Sequence, residues 1–293
     1  MVARLVALSL LLGVAACGGS GTPDGRAQVL AAAYPFAWAA EQVAGPDAKV
    51  TNLVEGGGEP HDIELTPRQV QATRNAALVV YLQGFQPAVD DAVLDVEESA
   101  RLDLTPVSDV VAADSNLDGA TEAGDDPHVW LDPKRMSAIV VEVARRLGKA
   151  DPDNAGEYQA RAERTATKLA ELDASFTTKL RTCERRELVT AHTAFGYLAD
   201  RYRLEQVGVT GLDPEAEPNP GRIADVARYA RSKGVTTIYF ESLIDPKLAR
   251  TVADEIGATT AVLDPVEGVK DGDDYLAVMR RNLDALTKGL GCA

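Results

Sequence analysis

The chain has 293 residues, with 30 Lys and Arg against 45 Asp and Glu, a formal net charge of −15. That acidity argues against nucleic acid or anionic lipid headgroups as partners, and the length suffices for two domains of ordinary size. Only three histidines and three cysteines are present, so any metal or thiol chemistry rests on very few positions.

Residues 1–16 have the pattern of a lipoprotein signal peptide. Met1 to Arg4 is weakly positive, Leu5 to Val14 is an unbroken apolar run, and Val14-Ala15-Ala16-Cys17 resembles a bacterial lipobox whose cysteine is lipidated. The apolar run is far short of the roughly 20 residues that a membrane span requires, so anchoring is expected through lipid on Cys17 alone, outside the cytoplasm. The stretch that follows, within 17–26, is rich in Gly and reads as a flexible tether.

Past the tether, short apolar runs alternate with amphipathic stretches. Ala27 to Ala33 reads as a strand, Tyr34-Pro35 opens a helix through Val43, and Lys49 to Val54 is a strand that ends in a glycine run. Thr66-Pro67 supplies an N-cap and a first-turn proline for a helix to about Asn75, and Ala77 to Leu82 is a buried strand. Such alternation predicts a parallel sheet covered by helices.

From Asp151-Pro152 to Arg181 there is no internal breaker. Tyr158, Ala162, Thr165, Leu169, Leu172, Phe176 and Leu180 form an apolar stripe at helical spacing. A helix of ~30 residues is ~45 Å long at 1.5 Å per residue, longer than one domain is wide, and reads as a strut between two lobes. The alternation then restarts. Strands are expected at Glu187 to Thr190, Arg203 to Val209, Val235 to Phe240 and Thr259 to Leu263. Helices are expected at Ala194 to Tyr202, Gly221 to Lys233, Pro246 to Ile256 and Asp273 to Leu286. The expected fold is therefore α/β: two parallel-sheet lobes, 27–150 and 183–293, joined by one long rigid helix over 151–182. Cys183 and Cys292 remain after Cys17, an even pair in an exported chain, and suggest one disulfide.

All three histidines stand beside turn signals: Gly58-Glu59-Pro60-His61-Asp62, Asp126-Pro127-His128-Val129-Trp130 and Thr190-Ala191-His192-Thr193. His61 and His192 follow strands, where open α/β sheets bind ligands, and the set draws on both halves of the chain, which places it in the cleft between the lobes. Three imidazoles and one carboxylate make a tetrahedral zinc set. Asp264, which also follows a strand, is the leading candidate for the carboxylate and Glu59 the next. Glu241, at the end of a strand, could hold a ligand imidazole by its second nitrogen.

These segments, in this order, resemble the substrate-binding lipoproteins of bacterial ABC importers for zinc and manganese. The resemblance runs from Tyr34-Pro35 through Gly56 to Pro67, Asp126 to Pro133, Thr190 to Leu198 and Gly211 to Pro218. It ends at Leu263-Asp264-Pro265 with Tyr275 and Asn282. It implies two α/β lobes on one long helix, with His61, His128, His192 and Asp264 as metal ligands. It also implies an ABC permease as membrane partner, a monomer, and no catalytic role. His192 stands where manganese-type members carry a carboxylate, which favours Zn²⁺ over Mn²⁺; manganese or iron binding in the same importer type is the alternative. Asp114 to Asp126 is acidic but holds no histidine, unlike the long His-rich loop of many zinc-type members. A zinc hydrolase fits less well, because there is no His-Glu-x-x-His segment and four protein ligands leave no open position. A surface-adhesin role, ascribed to some members, has no feature of its own in the sequence.

Overall fold

Most of the strands form on short runs rich in β-branched and other apolar residues, such as Leu78-Val79-Val80-Tyr81 and Thr237-Ile238-Tyr239-Phe240. In the computed structural model, which describes residues 25–54, 58–108, 112–114, 121–269 and 273–293, these runs make two parallel sheets. The signal segment with Cys17, most of the tether, Gly56 and Gly57 of the first histidine segment, and Asp118 of the acidic stretch lie outside the described residues.

The first lobe runs β1 (Ala27–Ala31), α1 (Tyr34–Ala44), β2 (Ala48–Asn52), α2 (Pro67–Arg74), β3 (Leu78–Tyr81), α3 (Pro87–Val93) and β4 (Arg101–Asp103). Its sheet has the order β2-β1-β3-β4, all parallel, with Val29 of β1 opposite Val50 and Leu78. β3 is buried along its whole length, as expected where helices cover both faces. α2 starts where anticipated: Thr66 and Gln69 form a reciprocal capping box, with Pro67 in the first turn. After β4 come α4 (Thr105–Ser108), a hairpin of β5 (Ala112–Asp114) and β6 (Thr121–Asp125), and α5 (Pro133–Ala150), capped by Asp132 accepting from Lys134 N at 2.8 Å.

The long helix is α6 (Ala155–Lys179), 25 residues and about 38 Å at 1.5 Å per residue. It is shorter than expected at its start because Pro152–Asn154 form a separate 3₁₀ turn, with Asp151 accepting from Tyr158 Oη at 2.6 Å. All seven residues of the predicted stripe are buried. That stripe packs on α1 and α5 of the first lobe and on the last helix of the second, so one rigid element contacts both lobes.

The second lobe contains β7 (Glu187–Thr190), α7 (Gly196–Tyr202), β8 (Glu205–Gly208), α8 (Pro220–Ser232) and β9 (Thr237–Phe240). It closes with α9 (Lys247–Ile256), β10 (Thr259–Val262) and α10 (Tyr275–Gly289), and its parallel sheet has the order β10-β9-β7-β8. β8 begins later than expected because Arg203 takes a left-handed conformation (φ 58°) that ends α7. Cys183 and Cys292 form a disulfide across 109 residues, joining the segment after α6 to the end of the chain. Backbone bonds from Glu184 N to Gly291 O and Arg185 N to Leu290 O lie beside it.

Candidate metal centre

Each imidazole is presented by a loop held to the scaffold by buried polar groups. Gln86, buried at the start of α3, donates from Nε2 to Pro60 O (2.7 Å) and Ala32 O (3.1 Å), which fixes the His61 loop against the end of β1. His128 lies between β6 and the 3₁₀ turn Val129–Leu131. His192 leaves the end of β7, with its carbonyl accepting from Thr190 Oγ1 (2.6 Å) and Gln206 Nε2 (3.3 Å). A Cβ on Gly208 would stand 2.3 Å from Thr193 Oγ1 and 2.6 Å from Thr210 O. The His192 loop therefore sits against β8 only because residue 208 lacks a side chain.

The three Nε2 atoms meet one carboxylate oxygen, that of Glu267, and the four donors lie within 4.8 Å of one another. Glu267 Oε1 is 3.0 Å from His128 Nε2, 3.3 Å from His61 Nε2 and 3.8 Å from His192 Nε2. His128 Nε2 and His192 Nε2 are 3.4 Å apart. A tetrahedral zinc with bonds of about 2.0–2.1 Å has ligand-to-ligand edges of roughly 3.3–3.4 Å. Four of the six separations, from 3.0 to 3.8 Å, thus bracket such an edge, and the donors come two from each lobe.

The far nitrogens of the two buried rings are also held. Asp126 Oδ1 accepts from His128 Nδ1 at 2.8 Å and from His128 N at 2.9 Å. Glu241 Oε1 meets His192 Nδ1. A proton on each Nδ1 leaves the Nε2 lone pair directed at the centre, which is how second carboxylates fix the tautomer of metal-binding histidines. The more accessible His61 ring packs edge-on against Phe85, with centroids 4.9 Å apart, and its backbone N donates to Glu59 Oε1 at 2.9 Å.

The lobes meet directly behind these donors. Trp130 Nε1 donates to Pro265 O (2.7 Å), Tyr275 Oη to Trp130 O (2.6 Å) and Tyr197 Oη to Asp126 O (3.0 Å). On the flank, Arg201 of α7 makes two bonds of 2.7 Å to Asp173 on α6.

The electrostatics are those of a cation site that holds a proton when metal is absent. Burial works to lower the His128 pKa, but hydrogen bonds to Asp126 and Glu267 outweigh it and push it up to about 10. Burial works to raise Glu267, and its bonds to His128 and His61 hold it well below the usual carboxylate range instead. His61 is lowered, chiefly by burial. Glu59, at the mouth, is pushed up to about 7, mainly by burial.

The side chains of His61, His128 and His192 converge, and Glu241 Oε1 lies against the second nitrogen of His192. The carboxylate that meets them is Glu267 rather than Asp264. Asp264 accepts from Val266 N at 2.8 Å within its own turn and from Ser242 Oγ in the loop after β9, so both its oxygens are engaged away from the imidazoles. Glu59 Oε1 is 3.9 Å from His61 Nε2 and is not among the four converging donors. Sequence reasoning missed Glu267 and Asp126. A signal for Glu267 existed: Asp before Pro favours a turn in which the Asp side chain bonds a backbone N–H two residues on. That engages Asp264 and leaves Glu267 as the next acidic side chain. A cavity of about 230 Å³ lined by Glu59, Pro60, Glu241, Leu243, Asp264 and Glu267, among others, leads to the centre. The larger groove of about 790 Å³ runs between β10 and α10 and shares only Ser242 and Asp264 with that cavity.

Residues 29–289 match the family model described as zinc-uptake complex component A, periplasmic. The high-affinity zinc uptake system protein ZnuA of Bacillus subtilis is 34% identical over 307 residues, covering 98% of this chain and 96% of that protein. The zinc-binding protein AdcA of Streptococcus pyogenes is 33% identical over 290 residues, covering 90% of this chain; the chain spans 56% of AdcA. The crystal structure of the Zn(II)-bound ZnuA-like domain of Streptococcus pneumoniae AdcA aligns with a TM-score of 0.76 at 30% identity, covering 91% of this chain and 99% of that one.

Proposed function

This chain belongs to the family of periplasmic zinc-uptake complex component A, and from that premise we propose that it is the extracytoplasmic solute-binding component of an ABC-type zinc importer. It captures Zn²⁺ in the cleft and hands it to a membrane permease. The observation that carries this reading is the convergence of His61, His128, His192 and Glu267, drawn from both lobes, with their donor atoms within 4.8 Å of one another. Three nitrogens and one oxygen suit zinc, whereas manganese prefers more oxygen donors. Capture displaces the proton held between His128 and Glu267, so metal uptake and proton release are coupled.

With four protein donors the ion has no open position for an activated water, which argues for carriage rather than catalysis. Residues 1–16 are removed as a signal peptide, lipid on Cys17 anchors the protein to the membrane, and 17–26 tether the two lobes, which act as a monomer. The zinc-related names of the similar proteins support the substrate, and the test is direct. Native mass spectrometry of metal-free protein given zinc should show one ion bound, and manganese should fail to displace it in competition titrations. Manganese binding as tightly as zinc would refute the substrate assignment.

A further inference from the structure

Val266 has a left-handed backbone (φ 61°) although its side chain is β-branched and fully buried. Such a residue is a genuine outlier, because its Cβ crowds the neighbouring backbone in that region. Among the described residues the other non-glycine case is Arg203, at a helix end where this conformation is common. Val266 ends no helix. It is the residue immediately before Glu267, and strain held in place at a site is itself a pointer to function.

The groups that hold it there are all identifiable. Asp264 Oδ1 accepts from Val266 N at 2.8 Å, and Asp264 Oδ2 accepts from Ser242 Oγ. Asn282, buried on α10, grips the backbone of Asp264 from both sides: its Oδ1 accepts from Asp264 N at 2.9 Å and its Nδ2 donates to Asp264 O at 2.7 Å. Pro265 restricts its own φ, and its carbonyl accepts from Trp130 Nε1 of the first lobe at 2.7 Å. The turn is therefore fixed by the loop after β9, by α10 and by the opposite lobe. Its product is one placement, Glu267 Oε1 at 3.0 Å from His128 Nε2 and 3.3 Å from His61 Nε2.

We propose that Asp264 is a positioning residue that acts on the metal only through Glu267: by clamping Val266 in its left-handed conformation it aims the Glu267 carboxylate across the cleft at the first lobe's imidazoles. The inference rests on the reading of His61, His128, His192 and Glu267 as the zinc ligands. It assigns Asp264 a role that needs its hydrogen-bond acceptor and not its charge.

The test is a double-mutant cycle on zinc affinity, measured by chelator competition on the full mature chain. Asp264→Ala should weaken zinc binding by roughly 10- to 100-fold, the usual effect of removing a group that orients a ligand. Asp264→Asn keeps an oxygen for Val266 N and should stay within about threefold of the unsubstituted protein. In a Glu267→Ala background, Asp264→Ala should change affinity by no more than about twofold, because the group it positions is gone. Ser242→Ala, a milder change that spares the fold, should weaken binding in the same direction and lose its effect in the Glu267→Ala background. Equal losses in Asp264→Asn and Asp264→Ala, or a full Asp264→Ala effect without Glu267, would make Asp264 a direct ligand and overturn the inference alone. No zinc binding by the unsubstituted protein would overturn the functional reading and the inference with it.

Discussion

The proton shared by His128 and Glu267 fixes the sign and size of the pH dependence of zinc binding. With its pKa pushed up to about 10, His128 is protonated in the metal-free protein at neutral pH, and zinc must displace that proton to reach Nε2. At pH 7 the gap of about three pH units corresponds to roughly 4 kcal/mol, or about a thousandfold in apparent affinity relative to pH 10. Affinity should therefore rise about tenfold per pH unit between pH 7 and 9, and one proton should be released per zinc bound. Chelator competition across that range gives the slope. Calorimetry in two buffers of different ionisation enthalpy gives the proton count. The metal-free fold should respond in the opposite sense. A histidine raised in the folded state stabilises fully below its ordinary value and loses that contribution as pH climbs toward about 10. Metal-free protein should thus melt lower at pH 9 than at pH 7, while zinc stabilises it more at pH 9. An affinity flat from pH 7 to 9, with no proton released, would refute the buried pair as the controlling group. Asp126→Asn weakens the bond that raises His128, and should make the dependence less steep at the alkaline end.

Three further outcomes test the ligand set, the disulfide and the lipid anchor. His61→Ala and His192→Ala each remove a nitrogen donor from a different lobe and should cost at least about 100-fold in zinc affinity, whereas Glu59→Ala should stay within about threefold; a greater loss for Glu59→Ala than for His192→Ala would move the site toward the first lobe. Cys183→Ser opens the disulfide across 109 residues and should destabilise the fold by ~2–4 kcal/mol in denaturant unfolding while leaving zinc affinity unchanged, since neither cysteine is a donor; an altered zinc affinity would contradict that separation. Cys17→Ser should release the protein from the membrane fraction, and retention there through an uncleaved N-terminus would rule out the lipid anchor.

The parts of the fold that could be read from the chain are those set by local pattern. The α6 stripe was legible because seven positions repeat at helical spacing with no breaker between them, and β7 was located to the residue because Glu187 to Thr190 is bounded by charge before and a turn after. Boundaries slipped where backbone geometry rather than composition decides. Arg203 stops α7 and delays β8, and Pro152 splits a 3₁₀ turn from α6. α5 carries comparable signals, Asp132-Pro133 at its start and Met136, Ile139, Val140, Val143 and Leu147 along one face, but no apolar strand run flanks it in the sequence to mark a repeat of the alternation.

The candidate site divides along the same line. A single histidine among turn residues is most simply an ordinary partly buried side chain, so the three rings could be picked out only together, from three such contexts in one chain that has no other histidine. A carboxylate after a strand has two uses, to bind an ion or to hold its own turn, and the Asp264-Pro265 pair leans toward the turn without fixing where the next carboxylate points. At Leu263 to Glu267 the weighing is done from a distance. Asn282 takes both backbone groups of Asp264 from 18 positions downstream, and Trp130 takes the carbonyl of Pro265 from the other lobe, 135 positions upstream. Once those contacts set the turn, the carboxylate of Asp264 is engaged by Val266 N and Ser242 Oγ, and the next acidic side chain, Glu267, faces the imidazoles. The donor type at the fourth corner could thus be read from the chain, while its position depended on contacts between groups far apart in the sequence.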